Sequence, residues 1–153
     1  MQTTKIAPFQ IIGIKVRTTN ENEQAASDIG SLWAKFMTEG VLEKIPNKLS
    51  NDIYAIYTNY ESDHTKPYDT ILGCSVSSLD VIPDGMMSQT FEGGTFTTFI
   101  SKGDVTKGAV YTTWVEIWNT KLDRLYTADF EIYGEKAKNP SDAEVDIYIA
   151  TRD

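Results

Sequence analysis

Histidine and cysteine each occur once in these 153 residues, as His64 and Cys74. One cysteine cannot close an internal disulfide, so nothing ties the fold to an oxidising compartment. Cys74 sits in a strand pattern as a small hydrophobe, with no Cys-His pair evident to make it a nucleophile. One histidine excludes a three-histidine metal site, and no mixed ligand set shows a recognisable spacing. His64 lies in the polar run Ser62-Asp63-His64 and is expected to be an exposed loop residue. No apolar stretch approaches the roughly 18 residues of a membrane span. The segment from Met1 to Pro8 has no apolar run ahead of a cleavage site, so the expected location is cytoplasmic, away from membranes. Basic residues are scarce: 14 Lys and Arg stand against 22 Asp and Glu, a net charge of -8. Without a Lys/Arg cluster there is no surface for direct nucleic-acid contact. No linker rich in Gly, Pro or Ser divides the chain, which reads as one domain over residues 1–153. Gly93-Gly94 lacks the frame of a phosphate loop, Gly103 and Gly108 lack dinucleotide spacing, and no cofactor is expected.

What the chain does have is a core and many rings. Its hydrophobic fraction is 41%, and it carries eight tyrosines, six phenylalanines and three tryptophans. Strands are expected over 6–16, with Gly13 as a bulge, and over 53–60 and 69–77. Further strands are expected from 86, over 95–101, 125–133 and 144–150. A helix over 25–39 follows from Ile29, Leu32, Trp33, Phe36 and Met37 at helical spacing, with Asn20 or Asn22 as cap and Gly40 as the terminating residue. Asp104 caps a second helix over 105–119, striped by Val110, Trp114, Ile117 and Trp118.

The two helices align at an offset of 81: Ile29 on Val110, Trp33 on Trp114, Phe36 on Ile117, Met37 on Trp118. Each helix is preceded by one strand and followed by two. The pattern predicts a duplicated strand-helix-strand-strand unit, an α+β fold with an antiparallel sheet, two helices on one face and a pseudo-twofold axis. A central cleft would lie where the halves meet.

The stretch Asp129-Phe130-Glu131-Ile132-Tyr133 alternates faces, with Phe130 and Ile132 on one side and Asp129, Glu131 and Tyr133 on the other. Glu131 is either the wet face of a strand or a carboxylate in a pocket. In a pocket it would need donors such as a tyrosine hydroxyl, or an entering cation. Tyr57, Tyr60, Tyr133 and Tyr148 are the strand aromatics available, with Tyr57 on one face and Tyr54 and Tyr60 on the other. Trp33 and Trp114 either reach the cleft or only pack their helices, and Trp118 reads as core. Met86 and Met87 either form an adaptable rim or simply start a strand. Glu116 is expected in solvent; Glu61 would add negative field.

Five segments carry a resemblance: Ser31-Leu-Trp-Ala-Lys-Phe36, Ile53 to Glu61, Tyr68 with Gly73, Trp114 to Trp118, and Ala128 to Tyr133 with Val145 to Ile149. In their order and spacing the chain resembles the gyrase-inhibitor-like effector-binding domains of multidrug-sensing and arabinose-type regulators, and single-domain members carried on mobile gene cassettes. The resemblance implies a duplicated fold with an open cleft, in which a glutamate among aromatic rings receives lipophilic cations. By position that glutamate is Glu131, with Tyr133, Tyr57, Tyr60, Trp33, Trp114, Tyr148 and Met86 as the ligand-binding set. It implies a sensor or sequestering module for amphipathic organic cations. A hydrolase using the same glutamate is one alternative. A partner or inhibitor of a separate regulator is another, and a homodimer is left open.

Overall fold

The computed structural model describes residues 2–153. Eight strands form one antiparallel sheet: β1 (Gln2–Ile6), β2 (Phe9–Thr18), β3 (Ile53–Thr58), β4 (Tyr68–Ser75), β5 (Met87–Phe91), β6 (Gly94–Gly103), β7 (Ala128–Tyr133) and β8 (Ala143–Ala150). Two longer helices, α1 (Gln24–Thr38) and α3 (Ala109–Trp118), follow β2 and β6, and a single helical turn, α2 (Val41–Lys44), follows Gly40. The expected first strand is two strands, because Pro8 has no N–H to continue a ladder. Gly13 is no bulge: its pairing with Gly73 is continuous, and an added Cβ would lie 2.1 Å from the Leu72 carbonyl oxygen. The glycine is there because two backbones come too close for a side chain.

The strand order β1-β6-β8-β7-β3-β4-β2-β5 reads the same from either end once the halves are exchanged. Strands β2, β3 and β4 with α1 repeat as β6, β7 and β8 with α3, and the pseudo-twofold axis passes between β3 and β7. This is the duplicated strand-helix-strand-strand sheet that the helix alignment predicted. The strand ahead of each unit crosses over: β1 pairs with β6 of the second half, and β5 with β2 of the first.

Register explains where the core sits. Ile14, Leu72, Ala55, Glu131, Ile147 and Phe99 lie opposite one another across six successive strands, so their side chains share one face. That row is apolar except for Glu131. Leu32 and Phe36 of α1 cover one end of this face and Ile117 of α3 covers the other. On the opposite face the sheet bends, bringing Phe9 and Phe96 within 5.4 and 5.3 Å of Phe130. Among the described residues, no helix is long and apolar enough to cross a membrane.

Candidate functional site

Between α1 and α3, above the β3–β7 seam, lies a cavity of about 640 Å3. Its position follows from the helices' small and branched residues: Ala25, Ala26, Ile29 and Val110 leave room, while Trp33, Trp114 and Trp118 wall it. Six of the eight residues expected from the sequence come together here: Glu131, Tyr133, Tyr57, Tyr60, Trp33 and Trp114.

Glu131 forms the floor and is 1% exposed. Tyr57 and Trp114 donate to its Oε2 at 2.9 and 2.6 Å, and Tyr133 donates to its Oε1 at 2.6 Å. Burial raises its pKa, while the Tyr133, Trp114 and Tyr57 donors pull the other way. Burial, and then the Glu131 charge, holds the Tyr57 and Tyr133 hydroxyls well above their ordinary value; the same causes push Tyr68 up to about 12. The hydroxyls therefore stay protonated and keep donating. Ring edges meet ring faces around them: Trp33 against Tyr133 at 4.9 Å, Tyr57 against Trp114 at 5.4 Å.

A second carboxylate lies two residues away on the same strand face. Asp129 is fully buried and accepts from Tyr60 at 2.6 Å, Arg124 at 2.7 Å and the Ala150 N–H at 2.9 Å. Unbroken alternation puts Tyr60 on the face of Tyr54. It reaches the cavity side instead, because β3 ends at Thr58 and Asn59 turns left-handed at φ 51°. Tyr54 stays on the other face against Phe9 and Phe130.

Tyr148 and Met86 lie outside the cavity. Tyr148 alternates with Val145, Ile147 and Ile149, which face the helices, so its ring stacks on Phe130 at 4.8 Å on the opposite face. Met86 closes the turn from Pro83 and packs into the core beneath α1, ahead of β5 at the sheet's far edge.

Other lining residues lie outside the set expected from the sequence, and four of them gather at one end of the cavity. Trp118, read as core, lines the cavity, whereas its repeat counterpart Met37 is 62% exposed. His64, read as exposed, stacks on Trp118 at 5.8 Å. Tyr68 and Arg124 complete that end. Trp118 was detectable, since it stands one helical turn beyond Trp114; His64 and Arg124 lie in irregular segments whose path no periodicity reveals. Asn20, expected as a helix cap, instead donates to the His64 carbonyl at 2.8 Å and accepts from Tyr68 at 2.6 Å. Cys74 is buried, and Glu61 and Glu116 are exposed. Among the described residues, no group of three His, Cys, Asp or Glu comes together to hold a metal.

A duplicated sheet with an aromatic cavity and a central glutamate at its seam defines an effector-binding domain of the gyrase-inhibitor-like class. Known proteins place it further. The chain belongs to Cass2, the integron-associated effector-binding proteins, whose family model matches residues 4–151. It is 34% identical to an integron cassette protein from the mobile metagenome of Vibrio cholerae, covering 99% of this chain and 95% of that one with a TM-score of 0.76. It shares its fold, at 18% identity and a TM-score of 0.81, with SAV2435 solved bound to tetraphenylphosphonium, covering 99% of this chain and 93% of that one. No curated protein matches it.

Proposed function

We propose that the protein binds an amphipathic organic cation in this cavity, with Glu131 as counter-charge and the surrounding rings as walls, and so senses or sequesters it. The observation that carries the reading is the state of the carboxylate. Three donors already occupy Glu131, so it has little left to offer an ammonium that must place several N–H groups. A cation whose charge is spread and which has no donors asks only for field and flat surface. Rings facing such a cation contribute roughly 0.5–2 kcal/mol each. Each phenol that donates to Glu131 also becomes richer in electrons, which strengthens that attraction. The cavity volume of about 640 Å3 suits a small-molecule ligand. The tetraphenylphosphonium bound by the fold relative SAV2435 is a ligand of this kind.

The same geometry disfavours Glu131 as a base for hydrolysis. Both of its oxygens are engaged, and the neighbouring phenols are held too basic to act as acids at neutral pH.

All three tryptophans line the cavity, so ligand entry is read directly by their fluorescence. Titration with tetraphenylphosphonium should quench it saturably, and Glu131→Gln should weaken binding at least about tenfold, near 1.4 kcal/mol. Tetraphenylborate, of the same shape and opposite charge, should not bind. Equal binding of both ions would refute the reading.

A further inference from the structure

Two buried carboxylates stand on β7, and their charges are met in different ways. Glu131 accepts only from neutral groups: the Tyr57 and Tyr133 hydroxyls and the Trp114 indole. Those bonds solvate its charge but leave it uncancelled. Asp129 accepts from Tyr60 and the Ala150 N–H, and it also pairs with the Arg124 guanidinium at 2.7 Å. Its charge is therefore cancelled inside the protein, where the carboxylate is 0% exposed and the arginine side chain 6%.

Arg124 is held in place for this pairing. Its backbone bridges to Thr151, and the Leu125 N–H donates to the Ala150 carbonyl, so the segment is fastened to the end of β8. Tyr126 takes a left-handed φ of 55°, a costly conformation for a bulky residue, and the guanidinium lies 4.3 Å from the centre of its ring. Other charges around the cavity are few. Among the described residues, Glu23 is the one further charged side chain that lines it, and it is exposed, where water and salt screen it. Burial, and then the nearby Arg124, lowers the His64 pKa, so the imidazole in the wall is uncharged at neutral pH.

We propose that Arg124 sets the charge capacity of the cavity at one: by neutralising Asp129 it leaves Glu131 as the buried counter-charge, so that the site takes aromatic monocations and rejects compact dications of the same shape. The argument rests on the cation reading above and narrows its ligand class. A dication that enters whole brings a second charge into a site with no second counter-charge, and a buried charge without a partner is expensive. Asp129 would be the natural partner, since its backbone lies only roughly 7 Å from that of Glu131 along the strand. Arg124 already occupies it. The arginine thus acts through charge rather than by touching the ligand. A long dication that leaves one end in water escapes the limit.

The test uses two ions of one shape: methyl viologen, a dication, and the monocation in which one of its N-methylpyridinium rings is replaced by a tolyl ring. Affinities are measured by titration calorimetry at neutral pH. Any apolar cavity favours the lower charge, so the deciding quantity is how the monocation-to-dication affinity ratio changes among variants. The wild type should favour the monocation at least about tenfold. Arg124→Met frees Asp129 and should lower that ratio at least about tenfold, the effect of supplying the missing counter-charge. Asp129→Asn leaves Arg124 unopposed and should weaken the monocation at least about fivefold. Combining the two changes removes both charges and should bring the ratio back towards that of the wild type. A purely structural role for the pair would lower both affinities together and leave the ratio unmoved. An unmoved ratio in Arg124→Met overturns the proposal, as does a wild type that binds the dication as tightly as the monocation. If Arg124→Met fails to fold by circular dichroism, the other two variants decide, and equal monocation affinity in Asp129→Asn and the double variant overturns it. A monocation that the wild type does not bind, or binds no better than Glu131→Gln does, would instead overturn the cation reading, and the capacity with it.

Discussion

Glu131 is a polar residue at the centre of an apolar row, and its placement sets two pH dependences. Its pKa is raised, so the folded chain holds this proton more tightly than the unfolded chain does. The associated stability is fully present below the ordinary glutamate value and is lost as pH rises through the folded value. Glu131→Gln lacks that loss. Its urea midpoint should therefore gain on wild type as pH rises from the ordinary glutamate value through the raised one. Ligand binding runs in the opposite direction: affinity for tetraphenylphosphonium should fall as pH drops through the raised value and the carboxylate is neutralised. Tyr133→Phe removes the donor to Oε1. It should move the midpoint of that binding profile to higher pH, by on the order of one unit for a lost charge-assisted bond. A profile that stays in place would mean that Tyr133 does not govern the carboxylate.

At the level of elements, the cavity depends on how α3 is started and on how two strands fit together. The Asp104 carboxylate accepts from the Thr106 N–H at 2.9 Å and fixes the turn that leads into α3, which carries Trp114 and Trp118. Asp104→Ala should cost about 1 kcal/mol by chemical denaturation. It should also weaken ligand binding, because both tryptophans ride on that helix. Gly13→Ala should be far worse, at least about 2 kcal/mol, since the added methyl collides with the Leu72 carbonyl rather than with a movable side chain. These elements also show what could be read from the chain in advance. Helical spacing placed Trp33 and Trp114, and period-two alternation placed Glu131 with Tyr133, because both are local and repeat. Alternation does not carry to Tyr60, because one left-handed residue, Asn59, resets the direction. Tyr148 is a strand aromatic like Tyr57 and Tyr133, but its parity along β8 aims it at the other face. His64 and Arg124 approach the cavity on irregular segments and become neighbours only through long-range folding.

For the whole molecule, the repeat carries most of the architecture. Equivalent helices at one offset implied two equivalent halves of one sheet, and the joint between them became the site. What the repeat did not disclose was the exchange of leading strands, because β1 and β5 are short and their pairing partners lie far away in sequence. That exchange ties the halves together, so heat or urea should unfold them in one transition, with tryptophan fluorescence and far-ultraviolet circular dichroism superimposing. Removing residues 1–7 should uncover the edge of β6, lower the midpoint and promote self-association visible by size-exclusion chromatography.

The exchange also imposes a timetable on synthesis. Residues 2–6 pair with 94–98, so the opening strand leaves the ribosome long before its neighbour exists. The leading half can pair β3-β4-β2-β5 among its own strands, but β1 and the open edge of β3 wait for β6 and β7. Such distant pairings slow folding and lengthen exposure of sticky edges. A newly made chain would consequently lean on chaperones most heavily midway through translation.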